Sequence, residues 1–135
     1  MSAVIDTNII FSMLLQEESQ LRDCFFKEGT DFYAPNFVLL ELFNKKEKLL
    51  KLSKLSESEI SELLHRILQK IHFINEVTIS KTNRIKAYQL CKEIDEEDTP
   101  FVALALEFNS EIWTGDEKLK QGLKKRGFHR FYIRQ

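Results

Sequence analysis

The sequence predicts a three-layer α/β/α fold with a central, mostly parallel sheet, organised as a single domain over residues 1–135. Two observations carry that expectation. Short apolar segments alternate with longer segments of helical periodicity, and strands buried on both faces belong to parallel sheets covered by helices. The second is size. A chain of 135 residues suits one core, and 43% hydrophobic residues with 4 Gly and 2 Pro exclude a disordered or fibrous chain.

Taken in order, Ala3–Asp6 reads as a short buried strand running straight into an apolar helix over Asn8–Leu15. A second helix over Ser19–Lys27 ends before Gly29, a residue suited to stopping a helix. Phe32–Ala34 is a strand, and a helix opened by Pro35 or Asn36 runs to about Leu52. Ser56 and Glu59 form a capping-box pattern, followed by apolar residues at 60, 63, 64, 67, 68 and 71, the spacing of one buried helical face. His72–Val77 reads as a strand and Lys81–Ile94 as a helix. Pro100 disfavours the α conformation at Thr99, which makes Thr99 the expected N-cap of a helix continuing through Leu106. Glu111–Thr114 is a strand, Glu117–Arg126 a helix before Gly127, and Phe131–Ile133 a last strand.

Composition narrows the function classes. The longest unbroken apolar run, Phe101–Leu106, is too short to span a bilayer, and Asp6 sits where an export signal would need basic then apolar residues. Cys24 and Cys91 lack metal-ligand spacing and are too few for a disulfide scaffold, which fits a cytoplasmic protein. With 20 Lys+Arg against 21 Asp+Glu, the net charge of −1 argues against one uniformly basic surface.

In an open parallel sheet, sites form beyond the carboxyl ends of the strands. Asp6, Glu41, Asp98 and Asp116 all fall near such ends. Each has an ordinary alternative. Asp6 serves equally as a helix N-cap, Asp98 as a charge favouring a helix N-terminus, and Asp116 as a turn or cap residue. Glu41 stands alone among six apolar residues, Phe37–Leu40 and Leu42–Phe43. Burying it unpaired is costly, whereas an i,i+4 pair with Lys45 on a helix surface would contribute only about 0.3–0.5 kcal/mol.

If the four carboxylates converge, they cannot all remain ionised without a counter-charge. Two unit charges about 5 Å apart repel by roughly 3 kcal/mol at an effective dielectric near 20. A hard divalent cation such as Mg²⁺ resolves this, and such a site activates water for in-line attack on a phosphodiester. The pattern predicts a metal-dependent phosphodiesterase.

Val4-Ile5-Asp6-Thr7-Asn8, Glu41 on its apolar helix, Asp98–Leu106 and Trp113-Thr114-Gly115-Asp116 resemble the PIN-domain nucleases in order and spacing along essentially the whole chain. Within that family, Asp98–Leu106 is similar to prokaryotic members related to VapC-type toxins. The resemblance implies an acidic pocket binding Mg²⁺ or Mn²⁺ and endonucleolytic cleavage of RNA. Asp6, Glu41, Asp98 and Asp116 would form the catalytic, metal-holding quartet; Asn8 would support Asp6, and Thr114 would orient Asp116 or a metal-bound water. Asp95 is a further candidate to face the metal or support its ligands, whereas Glu93, Glu96 and Glu97 read as a solvated loop. For toxin-like members, an antitoxin protein is an implied partner, and PIN domains often form homodimers.

Other acid-bearing α/β families fit less well. Haloacid-dehalogenase-type phosphatases need a second Asp where Asn8 stands, and receiver domains want adjacent acids after the first strand. No phosphate-cradling glycine loop is present, and His65, His72 and His129 are scattered. Residues 44–54 hold five lysines against Glu47. Residues 117–135 hold Lys118, Lys120, Lys124, Lys125, Arg126, Arg130 and Arg134 against Glu117. These segments are either RNA-phosphate contacts or ordinary solvated faces. Phe128, Phe131 and Tyr132 read as strand core, not base-stacking platforms. Ile9, Ile10, Phe11, Met13 and Leu14 belong to the core or to an interface. The competing reading of the whole chain is a non-catalytic RNA- or protein-binding module on the same scaffold.

Overall fold

A computed structural model describes residues 1–27 and 29–133. Four strands, β1 (Ser2–Ile5), β2 (Asp31–Pro35), β3 (Ile71–Ile74) and β4 (Glu111–Trp113), form one all-parallel sheet in the order β3-β2-β1-β4. Between β1 and β2 lie α1 (Thr7–Met13) and α2 (Gln20–Phe26); between β2 and β3 lie α3 (Phe37–Asn44), α4 (Lys46–Leu52) and α5 (Glu57–Lys70). The chain then crosses back through α6 (Lys81–Cys91) and α7 (Thr99–Phe108) to β4, and α8 (Glu117–Lys125) follows. The first two crossovers run one way along the sheet and the third reverses. Right-handed connections therefore place α1–α5 on one face and α6–α8 on the other.

The core is continuous across the sheet. Val4 of β1 and Ile112 of β4 share the face that α7 covers with its buried run Phe101–Ala105, while Phe32 of β2 stacks on Phe25 of α2, ring centroids 4.9 Å apart, on the opposite face. Ile9, Ile10, Met13 and Leu14 are all buried, so the early apolar helix is committed to packing. Exposed apolar side chains include Leu39, Leu40 and Phe43 on α3, and Ile85 and Tyr88 on α6. Helix starts follow local chemistry: Ser56 and Glu59 make both bonds of the expected capping box, at 3.1 and 2.9 Å.

Several boundaries depart from the sequence reading. The single helix expected up to Leu52 is broken at Lys45, whose N–H is shared between the carbonyls of Glu41 and Leu42. Asn44–Lys48 offers no apolar side chain to hold that turn against the core. The third strand stops at Ile74 because the Asn75 side chain accepts from the Val77 N–H at 3.1 Å and opens a 3₁₀ turn. The sixth helix ends at Cys91, not Ile94, where the chain tightens onto the Cys91 carbonyl.

The N-cap of α7 is Asp98, not Thr99. Thr99 is helical despite Pro100, because a 3₁₀ turn over Glu96–Asp98 feeds directly into the helix. The expected last strand reduces to a parallel bridge between Phe131 and Ile112. Phe128 is nevertheless buried, and Phe131 and Tyr132 pack against the core as expected. Arg134 of the basic tail lies outside the described residues.

Candidate active site: a carboxylate pocket at the sheet's switch point

β1 and β4 are neighbours, yet the chain leaves their carboxyl ends in opposite directions. That divergence opens a crevice, the usual ligand position in an open α/β sheet. Asp6 and Asp116 follow these two strands. The Asp6 N–H donates to the Trp113 carbonyl at 3.1 Å and ties the strand ends together.

Asp6 caps α1, its Oδ1 accepting from the Ile9 N–H at 2.9 Å, and is only 5% exposed. Asp116 caps α8 in the same way, its Oδ1 accepting from the Leu119 N–H at 3.0 Å. Each cap engages one carboxylate oxygen and fixes the side chain at the mouth of the crevice. Thr114, buried between them, accepts the Asp116 N–H at 3.1 Å and favours the ionised form of Asp6 through its hydroxyl.

Glu41 is held from the other side of the pocket. The Thr7 hydroxyl donates to Glu41 Oε1, linking α1 to α3. The alternative helix-surface pair between Glu41 and Lys45 is not made. Lys45 Nζ donates to Asn8 Oδ1 at 3.1 Å instead, so Asn8 faces Lys45. Asp98 enters from the α7 terminus, while Asp95 turns its Oδ1 onto the Glu97 N–H at 3.0 Å.

Asp6, Asn8, Glu41, Asp95, Asp98 and Asp116 line one pocket of about 110 Å³, together with Thr7, Lys45, Glu97 and Phe101. The sequence reading had not singled out Thr7 for this site. By sequence alone, Lys45 reads as part of a surface pair or a basic segment, and Glu97 as loop. Thr7 and Lys45 had visible signals: Thr7 lies inside the Val4–Asn8 motif, and Lys45 stands four residues after Glu41, on the same face of the expected helix. Phe101 likewise lies inside the Asp98–Leu106 motif, whereas Glu97 had no signal, because its placement depends on the 3₁₀ turn before α7.

Six carboxylates and one ammonium therefore share this space. Burial raises the pKa of Asp6, against the opposing Thr114 and Ile9 hydrogen bonds, and the charges of Asp116 and Glu41 raise it further. Asp98 is pushed up to about 7, first by burial and then by Asp95, Asp6, Asp116 and Glu41. Cys91, behind Asp98, is pushed up to about 12 by burial and then by the Asp98 charge, so its thiol stays neutral.

The residues fit a hard divalent cation. The donors are carboxylate oxygens, and Asp98 Oδ2 is buried without a hydrogen-bond partner. Among the described residues, no three of these groups close into a compact coordination cluster. An open ring of acids suits Mg²⁺, which keeps several waters and takes only one or two carboxylates directly.

Sheet order and switch-point crevice together place the chain among α/β proteins with an acidic pocket at the carboxyl ends of parallel strands. More particularly, the chain belongs to the PIN-domain family, whose family model matches residues 4–134. PIN domains are generally nucleases, and those nucleases typically use divalent metals. No curated protein matches the chain.

Proposed function

We propose that this PIN-domain protein is an endoribonuclease dependent on Mg²⁺ or Mn²⁺, with Asp6, Glu41, Asp98 and Asp116 as its acidic quartet. One observation carries the reading: carboxylates from four separate segments converge on a single crevice. A divalent ion held there supplies charge neutralisation and water activation at the phosphodiester. The chain's own residues do the positioning. Thr7 fixes Glu41, and the two caps fix Asp6 and Asp116. Asp98, with its raised pKa, can hold a proton near neutral pH until a cation displaces it.

The RNA backbone needs cations away from the acids. A groove of about 340 Å³ near the C-terminus of α8 is lined by Lys86, Arg126, His129 and Arg130; no acidic side chain lines its wall, and Arg126 pairs with Glu93 beside it at 3.7 Å. Arg126 caps the end of α8 that lies opposite Asp116, about 15 Å away at 1.5 Å per residue. That separation lets one strand reach both places.

The test is cleavage of mixed single-stranded RNA by the purified protein with Mn²⁺ or with excess chelator. Asp6→Asn, Glu41→Gln and Asp116→Asn should each abolish metal-dependent cleavage without unfolding the protein. Asn remains an effective N-cap, so the first and third variants keep their helix starts. Cleavage that persists in chelator, or in all three variants, overturns the proposal.

A further inference from the structure

Lys45 is the one basic side chain in the wall of the acidic pocket. It faces six carboxylates, yet among the described residues none lies within ion-pairing distance of its ammonium. Its contact is a neutral one, the Asn8 amide oxygen at 3.1 Å. The backbone explains the placement. The break between α3 and α4 falls on Lys45, so its side chain leaves the end of one helix toward α1. Asn8 meets it from the first turn of α1, directly after the Asp6 cap.

An ammonium that only balanced the pocket's charge would gain most by settling on a carboxylate. Asn8 holds this one off the acids, which leaves their oxygens free for a cation. An ammonium has three donors, and the Asn8 bond uses one. Two remain for groups arriving at the mouth. A compact, strongly hydrated point charge of this kind suits a phosphate oxygen, and lysine commonly binds phosphate in this way.

We infer that Lys45 clamps a non-bridging phosphate oxygen of the RNA backbone at the mouth of the pocket, with Asn8 as its positioning residue. The inference rests on the RNA-cleaving reading above and assigns a substrate contact within that site. It separates two jobs by charge: carboxylates take the cation, and Lys45 takes the substrate.

The two jobs respond oppositely to Lys45→Gln. Removing a positive charge beside the acids should leave Mn²⁺ affinity, followed by electron paramagnetic resonance, unchanged or tighter. Single-turnover cleavage of single-stranded RNA should nevertheless fall by at least about tenfold, the least expected for one lost charge-assisted contact. RNA affinity, measured by anisotropy with a labelled oligoribonucleotide in an Asp116→Asn background that blocks cleavage, should weaken. Its logarithmic salt slope should drop by about 0.7, the value for one phosphate contact on a single strand. Lys45→Arg should keep that slope.

Unchanged RNA affinity and slope, with only Mn²⁺ affinity altered, would make Lys45 a counter-charge and overturn the inference. If the wild-type protein cleaves nothing but Lys45→Gln still lowers the salt slope, the nuclease reading fails and the clamp stands. If the protein binds no RNA at all, both fail.

Discussion

Asp98 offers the sharpest test of whether the acids converge in solution. The perturbation is Asp98→Asn, which keeps the shape of the side chain and removes its charge, studied in EDTA. The Asp98 pKa is raised from 3.8 to about 7, so the native state holds this proton more tightly than the unfolded chain. Its protonation therefore supports folding below about pH 4, and that support is lost as pH rises toward 7. Taken at face value the shift corresponds to about 4 kcal/mol, at about 1.4 kcal/mol per factor of ten. Solvent screening of a side chain that keeps partial contact with water reduces this to about 1–2 kcal/mol. At pH 8 the variant should be more stable by that amount, a rise of about 4–8 °C in Tm for a domain of this size. At pH 4 the gain should vanish, because Asp98 is then largely neutral in the native protein. Thermal unfolding followed by circular dichroism at both pH values reads the difference directly. Adding Mn²⁺ should stabilise the wild-type protein more than the variant, since an ion that binds only the folded state raises its stability. Equal Tm changes at both pH values, or no gain at pH 8, would refute the convergence of charge on Asp98.

Three further outcomes follow from the same structure. Asp6→Ala should be less stable than Asp6→Asn by about 1–2 kcal/mol in urea denaturation, because only alanine deletes the α1 cap. Asp6→Asn should be at least as stable as wild type, because burial already disfavours the Asp6 charge. Both should lose metal-dependent cleavage. A Cβ at Gly122 would stand 2.5 Å from Ile94 Cδ1 and 2.8 Å from its Cγ1. The usual helix gain of about 1 kcal/mol for Gly→Ala should therefore turn into a net loss of about 1 kcal/mol. In an Ile94→Ala background the same change should become stabilising, which a double-mutant cycle would show. Finally, Lys86→Gln combined with Arg126→Gln should lower the salt slope of RNA binding by about 1.4, two phosphate contacts at about 0.7 each, and leave Mn²⁺ binding unchanged. An unchanged slope would remove the α8 groove from the RNA path.

The alternation of apolar strands and helices was readable because burial on both faces leaves a strong local pattern. The cap of α5 was readable because Ser56 and Glu59 bond within one turn. The break at Lys45 was harder to see, since helical propensity runs smoothly through Asn44–Lys48 and only the lack of a buried face interrupts it. The α7 entry was misplaced for a related reason. Local rules weigh Thr99 against Pro100 alone, whereas the turn over Glu96–Asp98 sets the chain direction first. These two junctions are what bring Lys45, Glu97 and Asp98 to the pocket. The spacing of acids therefore picked out residues that share one pocket, while the rest of its lining depended on backbone turns that have no periodic signature.

At Asp6 and Asp116 a helix cap leaves room for a second role. A carboxylate has two oxygens, and a helix N-terminus next to a strand end needs only one of them. Capping locks the side-chain rotor at the switch point, so the second oxygen is aimed before any cation arrives. An uncapped aspartate there would have to give up rotamer freedom on binding. The helix dipoles act in the same sense, since each N-terminus favours the charged form of its cap. Thr7 and Thr114 extend the scheme by holding Glu41 and the Asp116 loop from inside the fold. Asp98 lacks such a hydrogen bond at Oδ2, and it is the acid of the quartet whose pKa reaches about 7. The pocket thus combines capped carboxylates with a member that lacks a partner at Oδ2, and a cation would relieve the burial of both Asp6 and Asp98. Metal affinity should accordingly rise with pH through the range in which Asp98 gives up its proton.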